Sequence, residues 1–261
     1  RDRHRPGEGV EPAKVEPVEH LRVVARPELV ILACPRPDDD RRARGDLGDR
    51  AQARVPAMVH VFIDGFDDWD IIEGQATVGH EIFHDLGDRV PDVVLVPAGG
   101  GGLLAGVLYY LRTVYGERTR VIGVQCDRAP GLAESLRLAR QSGSSSEELL
   151  PLEVATRPTI ADGIRIGRPG HRPFRVIRRW VDDVICVGEE SIYEAIVYLY
   201  EHSRLVVEGA GAVGVAALLE RRLRLAPDTT AVVVISGGNI DVGDRKSTRL
   251  NSSHMSESRM P

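Results

Sequence analysis

Residues 93–112 read VVLVPAGGGGLLAGVLYYLR, and the interpretation of this stretch decides the fold. Val93–Val96 is a β-branched apolar run, the pattern of a strand buried on both faces of a parallel sheet. Pro97 and Ala98 end it, four glycines follow, and Leu103 opens a helix-period segment that runs to about Tyr115. Strand, glycine loop and helix start together make an anion site. The glycines let backbone N–H groups turn inward without Cβ obstruction, and the helix start adds partial positive charge. A phosphate is the natural guest, and the alternative is a tight βα connection with no ligand. Better-known phosphate loops fit poorly. Gly102 is followed by Leu103 and Leu104 where a Walker loop needs Lys and Ser or Thr, and the spaced glycines of a dinucleotide fingerprint are absent.

Outward from this loop the chain alternates strand and helix. Downstream, the pattern predicts a strand at Val121–Cys126, a helix from Gly131 to Gln141 and a polar connection over 142–158. A strand at Val184–Val187 follows, then a helix over Glu189–His202 with Ile192, Ala195, Ile196 and Leu199 at helical spacing. Leu205–Val207 leads through a glycine turn to a helix over Ala212–Arg222, and Ala231–Ile235 is a last buried strand that stops at Ser236-Gly-Gly-Asn. Upstream, Met58–Ile63 reads as a strand, and Phe66–Ile72 leads through EGQATVG into a helix from Gly79 to about Leu86. The expected fold is α/β, a mainly parallel twisted sheet with helices on both faces and ligands at the strands' C-terminal ends. The glycine loop and Ser236 both lie at such ends.

The ends of the chain differ from its middle. Residues 1–55 are dense in Arg, Asp, Pro and Gly, with strand character only at Leu21–Val24 and Leu29–Cys34. They read as a disordered, a diverged or a mistranslated segment. Residues 56–244 form the expected α/β domain. Residues 245–261, RKSTRLNSSHMSESRMP, have no apolar face and read as a non-native tail of adapter-like sequence.

With 261 residues, 42% hydrophobic and 28% charged, the composition is that of an ordinary globular protein, and a net charge of −5 argues against a nucleic-acid partner. No apolar run reaches membrane-spanning length and no secretory leader is visible, so a cytoplasmic protein is expected. Cys34, Cys126 and Cys186 are odd in number and read as reduced thiols, neither a disulfide nor a metal set. Lysine usage is more telling: the chain has only Lys14 and Lys246, one in each doubtful end.

Three constellations point to one ligand. The Gly99–Leu103 loop offers a phosphate cradle, Ser236 ends a buried strand with a hydroxyl suited to a ring nitrogen, and Glu208 lies in VVEGAGA, where small residues admit a flat ring. Phosphate, ring and nitrogen partner in that arrangement suit pyridoxal 5′-phosphate. The plainer readings are a turn at Ser236–Asn239 and a helix cap at Glu208. From about Phe66 to Asp241 the stretches FDDWDIIEGQATVG, VPAGGGGLLAG, VIGVQ, TIADGIRIGRPG, VDDVICV, VVEGAGAVGVAALL and ISGGNID resemble, in order, those of the threonine dehydratases (threonine ammonia-lyases). These are fold-type II pyridoxal-phosphate enzymes with a tryptophan synthase β-like architecture, and serine dehydratase and serine racemase are near relatives.

The resemblance implies that Gly99, Gly100, Gly101, Gly102 and Leu103 bind the cofactor phosphate through backbone N–H groups and that Ser236 meets the pyridine nitrogen. It implies β-elimination of L-threonine or L-serine to 2-oxobutanoate or pyruvate plus ammonia, and a homo-oligomer. Two departures qualify it. The family's Schiff-base lysine lies in an upstream Ser-Phe-Lys-type motif with no counterpart here, so no catalytic residue is assigned. The chain is then expected to lack most of the small domain and to be inactive as given; the alternative is a non-catalytic cofactor- or partner-binding remnant. Relatives also hold a divalent cation through acidic residues where this chain has Gln125 and Gly131, so no metal is expected. One further motif, His80-Glu81-Ile82-Phe83-His84, matches the zinc-protease pattern HExxH. Its third ligand is missing, since the position that should hold it is Val90, and the better account is an imidazole pair in solvent. His60 and His171 are likewise expected to be surface or structural residues.

Overall fold

The computed structural model describes residues 22–24, 64–143, 149–226 and 228–239, the first three by backbone alone. Five parallel strands form one sheet: β1 (Arg22–Val24), β2 (Val93–Pro97), β3 (Arg120–Cys126), β4 (Asp183–Val187) and β5 (Ala231–Val234), in the spatial order β1-β5-β2-β3-β4. In register, Val93, Val94 and Leu95 of β2 lie opposite Ala231, Val232 and Val233 of β5 on one side. Val93–Pro97 lie opposite Arg120–Val124 of β3 on the other. The helices are α1 (Trp69–Leu86), α2 (Gly102–Tyr115), α3 (Gly131–Ser142), α4 (His171–Trp180), α5 (Glu189–Ser203) and α6 (Gly209–Leu219), with a short 3₁₀ turn at Asp162–Ile164.

Side-chain alternation along the strands sends residues to two cores. Val94 and Val96 of β2 face the core built with α1–α4, whereas Val93 and Leu95 face the one built with α5 and α6. Both faces are covered, so the central strands are continuous apolar runs. The α/β class with helices on both faces is as the residues lead one to expect.

Helix α1 begins ten residues before the expected Gly79. Asp68 accepts from the Asp70 N–H at 2.8 Å and starts the helix there. The glycines at 74 and 79 interrupt the apolar periodicity without breaking the helix. Gly79 and, in α2, Gly106 permit a close crossing instead, since a Cβ on Gly79 would lie 2.9 Å from Tyr110 Cβ and one on Gly106 2.4 Å from the Ile72 carbonyl oxygen of α1. Helix α6 begins at Gly209, not at Ala212, because the glycine turn is its first turn; it ends before Arg221, which adopts a positive φ of 54°. Residues Gly209–Ala217 are all buried.

Helix α4 carries no apolar run and is not anticipated by the pattern. Pro173 lies in its first turn, where the missing N–H costs nothing. Asp67 caps it from outside, accepting from the N–H groups of His171 and Arg172 at 2.9 and 2.7 Å. At the far end, Arg112 of α2 donates to the carbonyls of Trp180, Thr119 and Gly116 and pairs with Asp182 at 2.5 Å. Asp182 in turn accepts from the Val121 N–H of β3. The expected strands Leu29–Cys34 and Met58–Ile63 lie outside the described residues, as do Lys14, Lys246, Cys34, His60 and the tail. Among the described residues no helix is long and apolar enough to cross a membrane.

Candidate functional site

The loop Gly99–Gly102 leaves β2 at the C-terminal edge of the sheet, and all four residues are buried. Gly101, the N-cap of α2, has φ +101°, a conformation that glycine adopts at little cost. The Gly100 carbonyl accepts from the Gly170 N–H at 2.9 Å, and the Phe66 ring lies so close that a Cβ on Gly100 would be 2.3 Å from it. Among the described residues, no hydrogen bond reaches the N–H groups of Gly99, Gly100, Gly101, Gly102 or Leu103. Five buried or half-buried donors in succession with no acceptor among the described residues are a costly arrangement unless an anion or water meets them. The start of α2 adds its dipole in the same place.

Strand β5 runs beside β2 in the same direction, so Ser236 emerges at the same edge as the glycine loop. Its side chain is exposed. Glu208 lies beside it. The Glu208 N–H donates to the Gly237 carbonyl at 3.2 Å, and its Oε2 accepts from the Asn239 N–H at 3.1 Å. The carboxylate therefore does not cap α6, even though Glu208 holds the N-cap position. A Cβ on Gly237 would lie 2.3 Å from Glu208 Oε1, so the Ser236–Asn239 turn and the carboxylate fit only because residue 237 is glycine. Burial pushes the Glu208 pKa up, the Asn239 N–H pulls it back, and the nearby Asp162 charge adds to the rise.

The 3₁₀ turn Asp162–Ile164 joins the two halves of the site. A Cβ on Gly99 would lie 3.0 Å from Ile164 Cα, and one on Gly163 would lie 3.5 Å from Glu208 Oε1. The turn thus touches the loop on one side and the carboxylate on the other. TIADGIRIGRPG was legible as a motif, but its place as a strap between Gly99 and Glu208 was not. Phe66 and Gly170 were missed for the same reason: each acts by lying against the loop, a contact between distant parts of the chain.

Other candidate residues lie elsewhere. Gln125 accepts from the Leu132 and Ala133 N–H groups at 3.1 and 2.9 Å, capping α3. His80 and His84 share the exposed face of α1 with ring centroids 4.2 Å apart, and His80 Nδ1 hydrogen-bonds to the Tyr110 hydroxyl at 2.7 Å. Among the described residues no three His, Cys, Asp or Glu side chains converge on a metal position. His171 is the first residue of α4. Cys126 and Cys186 are unbridged, and burial pushes both thiols up, Cys186 to about 11.

Comparison with known proteins agrees with this geometry. Over 182 residues the chain is 43% identical to the L-threonine ammonia-lyase of Thermotoga maritima, covering 70% of this chain and 42% of that protein. Over 203 residues it is 39% identical to the catabolic L-threonine dehydratase of Escherichia coli strain K12, covering 76% and 58%. The crystal structure of T.th. threonine deaminase aligns with a TM-score of 0.60 at 37% identity, over 67% of this chain and 61% of that one. The chain spans about half the length of the two relatives named first. The family described as pyridoxal-phosphate dependent enzymes matches residues 30–237, and the chain belongs to it.

Proposed function

We propose that the chain holds pyridoxal phosphate at the carboxyl edge of its sheet, as the large-domain part of a dehydratase that converts L-threonine or L-serine to 2-oxobutanoate or pyruvate and ammonia. One observation carries this reading: the row of N–H groups from Gly99 to Leu103 without a protein acceptor among the described residues. The residues present fit the cofactor. The glycine N–H groups and the α2 dipole would hold its phosphate, and Ser236 would meet its ring nitrogen. Glu208, with the small residues beside it, would border the ring. Pyridoxal phosphate bound there would supply an electron sink for negative charge at the Cα of an amino acid. A neutral hydroxyl at residue 236 would accept no proton from solvent to share with the ring nitrogen, where a carboxylate would hold a proton on it. That would restrain the sink and favour elimination over transamination.

A second reading, a cofactor-holding piece that does not turn over, is favoured by the lysines. The described residues contain none, since Lys14 and Lys246 both lie outside them. One experiment addresses both readings: the absorbance spectrum of the chain after incubation with pyridoxal phosphate and dialysis, then after threonine is added. Retention of about one cofactor per chain, weakened roughly tenfold or more by Gly100→Ala because the new methyl meets the Phe66 ring, is expected. No retention by the unaltered chain overturns the proposal. A retained band that shifts on adding threonine favours the active enzyme, and an unresponsive one favours the second reading.

A further inference from the structure

The strap that separates the glycine loop from Glu208 is held from behind by a residue with no part in the site described so far. Glu189 is the first residue of α5 and its side chain is 19% exposed. Both of its oxygens leave the helix. Oε1 accepts from the Thr159 hydroxyl and Oε2 from the Ile160 N–H at 3.0 Å. The Thr159 hydroxyl oxygen then accepts from the Ala161 N–H at 3.1 Å, and Arg128, which donates to the Pro158 carbonyl at 2.6 Å, lies 3.9 Å from the Glu189 carboxylate. Four successive residues, 158–161, are thus tied to one ion pair immediately before the turn Asp162–Ile164.

Glu189 is not needed there as a helix cap. Gly188 is the N-cap of α5, and its N–H is taken by Glu220 Oε1 at 2.8 Å. The inner side of the strap is fixed as tightly. A Cβ on Gly209 would lie 2.2 Å from the Ile160 carbonyl oxygen, so the strap rests directly on the first turn of α6, next to Glu208. Beyond that contact the strap has little freedom. Whatever moves Thr159 and Ile160 moves Gly163 against Glu208 and Ile164 against Gly99.

We propose that Glu189 is a positioning residue: by anchoring Thr159 and Ile160 it seats the Asp162–Ile164 turn between the glycine loop and Glu208, and so sets the affinity of the site for pyridoxal phosphate. This inference rests on the cofactor reading given above. It calls for two readouts on the full chain, backbone amide exchange and the dissociation constant for pyridoxal phosphate, in Glu189→Ala, Glu189→Gln and Glu190→Ala. In Glu189→Ala, amides of residues 161–166 exchange roughly tenfold faster while those of α5 beyond Ile192 are unchanged. Cofactor affinity falls about five- to tenfold, the factor for one lost hydrogen bond. Glu189→Gln keeps an acceptor oxygen and recovers part of both, and Glu190→Ala, the same charge change one residue along, alters neither.

Thr159→Val removes the contact from the strap side and reproduces the Glu189→Ala effect, and the two together are not additive. Unchanged exchange at 161–166, or unchanged affinity in a Glu189→Ala chain whose parent binds the cofactor, overturns the inference alone. An unaltered chain that binds no cofactor overturns the functional reading and the inference with it.

Discussion

Glu208 brings a carboxylate into a place with little water. Burial raises its pKa above the ordinary value of 4.5, against the single N–H bond from Asn239 that lowers it. A group with a raised pKa in the folded state contributes stability while protonated and loses that contribution as pH rises through the raised value. Glu208→Gln removes the titration. Measured by urea unfolding, the stability of the unaltered chain relative to Glu208→Gln is therefore expected to decline as pH climbs above 4.5 and then level off. Parallel profiles would show that the carboxylate is hydrated as it would be in the unfolded chain. In sequence Glu208 stands out as a lone acid among glycines and alanines, read there either as a neighbour of a flat ring or as a helix cap, and the structure shows that its side chain does not cap α6. What it touches was not legible there, since Gly237 and Gly163 reach it only through the fold. The same holds for the glycine loop: the donors were visible in the residue types, while the ring of Phe66 that closes one side was not.

At the scale of elements, glycines mean different things according to what faces them. Gly74 of α1 has nothing within 4 Å of an added Cβ, whereas Gly106 of α2 faces the Ile72 carbonyl at 2.4 Å and the Ala76 nitrogen at 2.7 Å. Gly74→Ala is expected to stabilise the chain by about 1 kcal/mol through helix propensity alone. Gly106→Ala gains the same propensity but forces two backbones apart at a cost of about 3 kcal/mol, a net loss of roughly 2 kcal/mol. Thermal unfolding of the two variants, moving in opposite directions, checks the pair. This also explains which elements could be read from sequence. Helices α2, α3 and α5 and strands β2–β5 announce themselves by period and by apolar runs. The start of α1 is hidden by two glycines, of which Gly79 lies at the crossing with α2 and Gly74 faces open space. Helix α4 is hidden by Pro173 and four arginines, its apolar positions Phe174, Val176 and Ile177 being too few to mark a period.

At the scale of the molecule, one side chain ties the edge opposite the site. Arg112 joins the end of α2, the end of α4 and the starts of β3 and β4 through three carbonyls and Asp182. Arg112→Ala leaves those carbonyls without their donor and Asp182 with the Val121 N–H alone among the described residues, at a cost of about 3 kcal/mol and a melting temperature roughly 6–12 °C lower. A shift under a few degrees would mean that water replaces the guanidinium. The order of the sheet has a consequence of another kind. Among the described strands β5 comes last in sequence, yet it is not at an edge: it lies between β1 and β2. Among the described residues, β5 is the neighbour of β1 and the partner of β2 on that side, so the sheet there closes only through a pairing between segments far apart in sequence. Closing that gap is a long-range step: the loop-closure entropy must be met before the pairing of β5 with β1 and β2 rewards it, so formation of the sheet is expected to lag behind that of the local helices.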